Sequence, residues 1–170
     1  RKKKIKKQGI IFVKTSKIRK LLAETCYSFF KKKPKNLVAV TGTNGKSSIA
    51  DFYYQILNLN SKKVASIGTL GVRYKNKKKK LNNTTLDPIS LCKTLVKLRH
   101  EKINHIIMEA SSHGLQQNRL DGLMFDTTIF SNLSHDHLDY HKNMRNYLKT
   151  KLYLFEKLTK KEGHIITDAS

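Results

Sequence analysis

One segment constrains this chain more than any other: Leu37 to Ser48, LVAVTGTNGKSS. An apolar run of strand character passes directly into Gly42-Thr43-Asn44-Gly45-Lys46-Ser47, and an amphipathic helical pattern follows. Glycines let main-chain N–H groups come close to an anion, and a helix starting immediately afterwards adds the partial positive charge of its N-terminus. In such a turn Lys46 reaches outer phosphate oxygens and the Ser47 hydroxyl can take Mg²⁺. Gly42, Thr43, Asn44, Gly45, Lys46, Ser47 and Ser48 are therefore the candidate polyphosphate-binding residues. The generic pattern places its first glycine further upstream, where Val40 and Thr41 stand, so it is not met in full. The plainer alternative is a glycine turn between strand and helix, with Lys46 and Ser47 merely opening the helix. The order strand, glycines, Lys-Ser, helix favours the phosphate nest.

The periodicity elsewhere predicts an α/β fold: a mainly parallel sheet with helices on both faces. Strands are expected at Gly9–Lys14, Leu37–Thr41, Lys63–Ile67, His105–Ala110, Phe125–Phe130 and His164–Thr167, and a charged-tip hairpin between Leu70 and Leu81. Helices are expected after Ser16 as an N-cap, over Lys46–Leu59, from Pro88 with Asp87 as its cap, and as one long element over Tyr140–Leu158. The polar, Pro-containing stretch Lys31–Asn36 is the one plausible domain boundary.

With 170 residues the chain can bury one core. No apolar run is long enough to span a bilayer, and no signal-peptide core follows the basic start. Arg1 in place of Met, and an end at Ser170 just past an apolar run, read as a piece of a longer protein. Cys26 and Cys92 lie far apart with no metal-like spacing and are expected to be free thiols in a reducing cytoplasm. The net charge of +23 invites a nucleic-acid reading. Yet only six of the 35 basic residues are Arg, the usual reader of bases, and the lysines cluster at 2–7, 31–35 and 77–80, where solvated loops or strand ends are expected. A positive field that draws in anionic substrates is the milder alternative.

Three further segments carry chemistry. In IIMEASSHGLQQNR a strand delivers Glu109 to its C-terminal end, where ligands gather in open α/β sheets, and a carboxylate facing a phosphate loop suits Mg²⁺. Arg119 suits an acidic group through a paired hydrogen bond, whereas His113 either orients phosphate or holds its loop. Asn83-Thr84-Thr85 taken alone is an ordinary turn. In FSNLSHDHLDYH, residues Asn132, Asp136 and His137 follow a strand end; chemistry alone would suggest zinc for a histidine ligand. Lys151 falls three and four residues from Tyr147, Leu148, Leu154 and Phe155, inside an apolar stripe. It could bury an amine that loses its charge, or snorkel to water.

Together TGTNGKS, NTT, EASSHGLQQNR and NLSHDHLDYH resemble, in order, the motifs of the Mur ligase superfamily, which includes the folylpolyglutamate and cyanophycin synthetases. The NTT and EASSHGL segments are similar to the branch that adds the third residue of the peptidoglycan stem peptide. The resemblance implies that ATP phosphorylates a substrate carboxylate and an amine attacks the acyl phosphate. It implies that Asn83, Thr84, Thr85, Ser111, Gln117 and Arg119 hold a UDP-N-acetylmuramoyl dipeptide. It assigns catalytic roles to Lys46, His137 and Lys151, with Ser47, Glu109, His137 and Lys151 (as a carbamate) around Mg²⁺. Residues 1–33 would be the tail of an N-terminal UDP-substrate domain and 34–170 an incomplete central ATP-binding domain, with the C-terminal domain that binds the incoming diamino acid absent. The expected protein is a cytoplasmic monomer acting on small molecules, with neither nucleic acid nor membrane as partner. The departures are Leu86 before Asp87-Pro88, where the family has Thr-Pro-Asp, and His135, where it commonly has Arg. Another ligase of the superfamily and a basic nucleic-acid module are the competing readings.

Overall fold

A computed structural model describes residues 3–7, 9–29 and 34–168. Strands β1 (Lys3–Lys7) and β2 (Ile10–Lys14) pair antiparallel as a separate ribbon. Helix α1 (Ile18–Phe29) follows, then β3 (Asn36–Thr41), α2 (Lys46–Leu59), β4 (Val64–Gly68), β5 (Gly71–Tyr74), β6 (Lys77–Lys79), α3 (Pro88–His100), β7 (His105–Glu109), α4 (Ser112–Gln116), β8 (Phe125–Phe130), α5 (Leu138–His141), α6 (Met144–Tyr153) and β9 (Thr159–Thr167).

Seven strands form one sheet in the order β6-β5-β4-β7-β3-β8-β9. The five from β4 to β9 run parallel, and the β5–β6 hairpin adds an antiparallel edge. Its tip, Lys75-Asn76, takes positive φ at both residues (46° and 59°), the twist a two-residue hairpin needs. β3 is buried almost throughout because it lies mid-sheet between β7 and β8. One face packs Leu37, Ala39, Ile106 and Met108 against α1, α3 and α4, with Ala23, Tyr27, Leu91, Leu95 and Leu115 in the same core. The opposite face packs Val38, Val40 and Ile107 against Ala50 of α2. Helices cover both faces as expected, but unequally.

Helix α1 packs on the main core: Ala23 and Tyr27 are 0% and 1% exposed, and the Tyr27 hydroxyl donates to Arg119 O at 2.9 Å. The boundary expected after residue 33 falls beside residues 30–33, which lie outside those described. Three expectations are corrected. The long helix over 140–158 is broken. Lys142 takes φ 70°, and Asn143 caps α6 by accepting from the Asn146 amide at 2.9 Å, since Asn competes for main-chain donors and favours caps over interiors. A π-helical turn, Leu154–Leu158, ends the element. β9 begins at Thr159, five residues earlier than expected, because a polar edge strand lacks the alternation that signals burial. At α1 the hydroxyl serving the entry is that of Thr15, which accepts from the Lys17 amide at 3.0 Å, rather than Ser16. Asp87 does cap α3, accepting from the Ile89 and Ser90 amides at 3.0 Å each. Both cysteines are free, Cys92 buried and Cys26 half-buried.

Candidate active site

The carboxyl ends of β3, β4, β7 and β8 open on one cleft of about 520 Å³, and every residue given a phosphate, metal, substrate or catalytic role from the sequence lines it. Parallel strands put this cleft where successive loops meet at one edge of the sheet.

The turn after β3 is tightly built. Gly42 has φ 147° and Gly45 φ 82°, and a Cβ on Gly42 would lie 1.8 Å from Ser131 Oγ, so only glycine fits there. The loop after β8 clamps the turn: the Thr43 amide donates to Asn132 O and the Asn44 amide to Asn132 Oδ1, both at 2.9 Å. Thr43 Oγ1 accepts from the Ser134 amide at 2.9 Å and lies 3.3 Å from the Tyr147 hydroxyl. The first main-chain bond of α2 runs from the Ile49 amide to Gly45 O at 2.9 Å, so the amides of Lys46, Ser47 and Ser48 lie ahead of it at the cleft. These are the donors an anion would meet.

Lys46 folds back along the turn and donates from Nζ to Gly42 O at 2.9 Å and Thr43 O at 2.7 Å. Burial lowers its pKa, with Glu109 and Asp136 opposing. Lys151 is 1% exposed; its Nζ donates to the same Gly42 O at 2.7 Å and lies 4.2 Å from the Tyr147 ring centre. Burial first, and then the Lys46 cation, pull its pKa down to about 7. The amine is buried, the first of the two outcomes that the apolar stripe left open.

Glu109 ends β7 at 2% exposure. Its Oε2 accepts from Ser47 Oγ at 2.9 Å and Thr69 Oγ1 at 3.1 Å, and its Oε1 from the Thr69 amide at 2.8 Å. A Cβ on Gly68 would lie 2.1 Å from Oε1, so that glycine makes room for the carboxylate. A single carboxylate beside a serine hydroxyl, in a cleft rich in amides, fits a Mg²⁺ ion that takes its remaining ligands from phosphate and water. Among the described residues no three His, Cys, Asp or Glu side chains converge into a protein-only metal cage.

The substrate-loop residues are joined to one another. Thr85, 3% exposed, donates to Glu109 O at 2.9 Å and accepts from the Ser111 amide at 2.9 Å, and its hydroxyl is 3.0 Å from Ser111 Oγ. Ser111 also caps α4, accepting from the Gly114 amide at 3.1 Å. Arg119 is half-buried; its Nε and one terminal nitrogen donate to Gln117 Oε1 at 3.1 and 2.8 Å, and the other donates to Thr85 O. Asn83 and Thr84 stand at the rim, with Thr84 Oγ1 3.0 Å from Thr69 Oγ1.

His137 takes φ 52° ahead of α5 and pairs with Asp136. Its ring meets His113 edge-on at 5.1 Å, and His113 lies against Tyr140 at 4.1 Å. Burial, then the neighbouring imidazoles, lower the pKa of His113 and of buried His141. Sequence reasoning missed Gly68, Thr69, Ser131 and Tyr147. Tyr147 read as core apolar and the other three as plain loop, because their partners lie 40 to 104 positions away.

The Mur ligase middle domain family matches residues 40–170. The chain is 44% identical over 143 residues to a UDP-N-acetylmuramoyl-L-alanyl-D-glutamate–2,6-diaminopimelate ligase of Rhizobium meliloti, covering 84% of this chain and 29% of that protein. A ligase of the same name from Wigglesworthia glossinidia brevipalpis is 49% identical over 123 residues, 72% of this chain and 25% of its own. A solved structure of such a ligase superposes with a TM-score of 0.80 at 28% identity, covering 90% of this chain and 36% of that one. The chain thus spans between a quarter and a third of the curated relatives it matches.

Proposed function

Because the chain belongs to the Mur ligase family through that family's middle domain, we propose that it is the ATP-binding part of an amide-bond ligase that joins a diamino acid to UDP-N-acetylmuramoyl-L-alanyl-D-glutamate in peptidoglycan synthesis. The relatives' names favour 2,6-diaminopimelate as that amino acid. The observation that carries the reading is the Ser47 hydroxyl bonded to the Glu109 carboxylate at 2.9 Å, beside the open amides of a glycine turn.

In this reading the amides of Lys46, Ser47 and Ser48 receive the phosphates of ATP, and Lys46 swings from Gly42 and Thr43 onto them. Ser47 and Glu109 would hold Mg²⁺, whose charge offsets that of the transferring phosphoryl group; His137 and Lys151 would serve a second metal position. A buried amine with pKa about 7 is about half neutral at pH 7 and can add CO₂, with release of a proton, to give an anionic carbamate. Thr84, Ser111, Gln117 and Arg119 line the side where the substrate carboxylate and sugar would lie. The amine of the diamino acid then displaces phosphate from the acyl phosphate. Residues 34–170 would belong to the central ATP-binding domain and residues 1–33 to the end of an N-terminal UDP-substrate domain, with α1 packed on the central core. Among the described residues no helix is long and apolar enough to cross a membrane; a cytoplasmic monomer is the state we assign.

The test is calorimetric binding of a non-hydrolysable ATP analogue with and without Mg²⁺. Magnesium-dependent binding that Lys46→Ala abolishes supports the reading. Affinity for arbitrary nucleic acids that falls steeply with salt and ignores Lys46→Ala would overturn it in favour of the basic module.

A further inference from the structure

The hydrogen bonds around Thr69 have a fixed direction. A carboxylate only accepts, so the Thr69 hydroxyl spends its one proton on Glu109 Oε2 at 3.1 Å. The contact between Thr69 Oγ1 and Thr84 Oγ1 at 3.0 Å must then carry the Thr84 proton. The result is a one-way chain, Thr84 to Thr69 to Glu109, from the rim where Asn83-Thr84-Thr85 lies to the carboxylate beside Ser47. The same residue's main-chain amide holds Oε1 at 2.8 Å, so Thr69 grips both oxygens of Glu109. No other described side chain touches both the carboxylate and the rim loop.

We infer that Thr69 is a positioning residue that orients Glu109 for a divalent cation and ties that carboxylate to Thr84 on the rim. Resting on the proposed nucleotide site, the relay of hydrogen bonds works as follows. A cation between Ser47 and Glu109 would replace the bond that now joins them, while the Thr69 hydroxyl and amide keep hold of Oε2 and Oε1. Thr84, donating to Thr69, braces that grip from the rim loop.

The experiment compares the wild-type chain with Thr69→Val, which keeps shape and main-chain amide but deletes the hydroxyl, and with Thr69→Ser, which restores it. Affinity for a non-hydrolysable ATP analogue is measured by calorimetry with Mg²⁺ and with EDTA. Thr69→Val is expected to cut the Mg²⁺-induced gain about tenfold or more, as loss of an outer partner to a metal ligand does, while the EDTA affinity stays unchanged; Thr69→Ser restores the gain. A wild-type gain in Thr69→Val, an equal loss with and without Mg²⁺, or failure of Ser to rescue overturns the relay and leaves the nucleotide site standing. A wild-type chain with no Mg²⁺ gain overturns the assignment of Glu109, and the relay with it.

Discussion

The side-chain nitrogens of Lys46 and Lys151 both donate to one acceptor, the carbonyl oxygen of Gly42, at 2.9 and 2.7 Å. Two lysines from distant parts of the chain are thereby held close enough for one to repel the proton of the other. Burial is the larger cause of the low Lys151 pKa, and the Lys46 cation is the next.

Replacing Lys46 with Met is therefore expected to raise the Lys151 pKa from about 7. Near pH 7.5 a rise of one unit would cut the neutral amine fraction about threefold. The check is the carbamate carbonyl signal in ¹³C NMR under labelled bicarbonate, which should weaken in Lys46→Met. An undiminished signal would show that burial alone sets the amine.

The same amine makes stability depend on pH in a definite sense. Its folded pKa of about 7 lies below the ordinary 10.5, so between those values the unfolded chain binds a proton that the folded chain does not. Stability from this group rises as pH climbs from about 7 toward 10.5, and below 7 the full cost of burying the cation remains. In degassed buffer Lys151→Met should be more stable than the parent at pH 6, by up to a few kcal/mol, with the gap closing at alkaline pH. Urea midpoints at several pH values measure it; a gap that does not change with pH would refute the buried-cation account.

Gly68→Ala tests the seat of Glu109 without touching a ligand. The added Cβ would lie 2.1 Å from Oε1, and because Gly68 has ordinary φ the main chain itself tolerates alanine. The carboxylate must shift away from Ser47 and Thr69. A stability loss of about 1–3 kcal/mol is expected, together with a fall of about tenfold or more in Mg²⁺-dependent nucleotide affinity. Thermal unfolding and calorimetry read the two effects separately.

Asp87→Ala should behave in the opposite way, losing stability but not binding. Burial pushes this carboxyl up, but bonds from Ser90 and Ile89 outweigh it and hold the pKa below 3.8. Its stabilisation is present at neutral pH and fades as acid protonates the cap. A cost of about 1 kcal/mol is expected, with nucleotide affinity unchanged. Loss of binding in this variant would mean that α3 positions the cleft more directly than its capping role implies.

Much of this was legible locally. Lys46–Leu59, Phe125–Phe130 and the Asp87 cap needed only period and capping chemistry, and all the residues given a phosphate, metal, substrate or catalytic role proved to line one cleft. The long helix failed at Asn143, where a good cap sits inside an apolar stripe, and β9 failed because edge strands can be polar on both faces.

What the chain determined by itself is the set of short-range facts: a glycine turn between strand and helix, a carboxylate at a strand end, a lysine in an apolar stripe. These depend on neighbours within about one helical turn. Only the tertiary structure decided that Thr69 grips Glu109, that Ser131 and Asn132 clamp the phosphate turn, and that Lys46 and Lys151 share Gly42. Parallel strands bring loops distant in sequence to one edge of the sheet, and hydrogen bonds across that edge leave no period in the sequence to read.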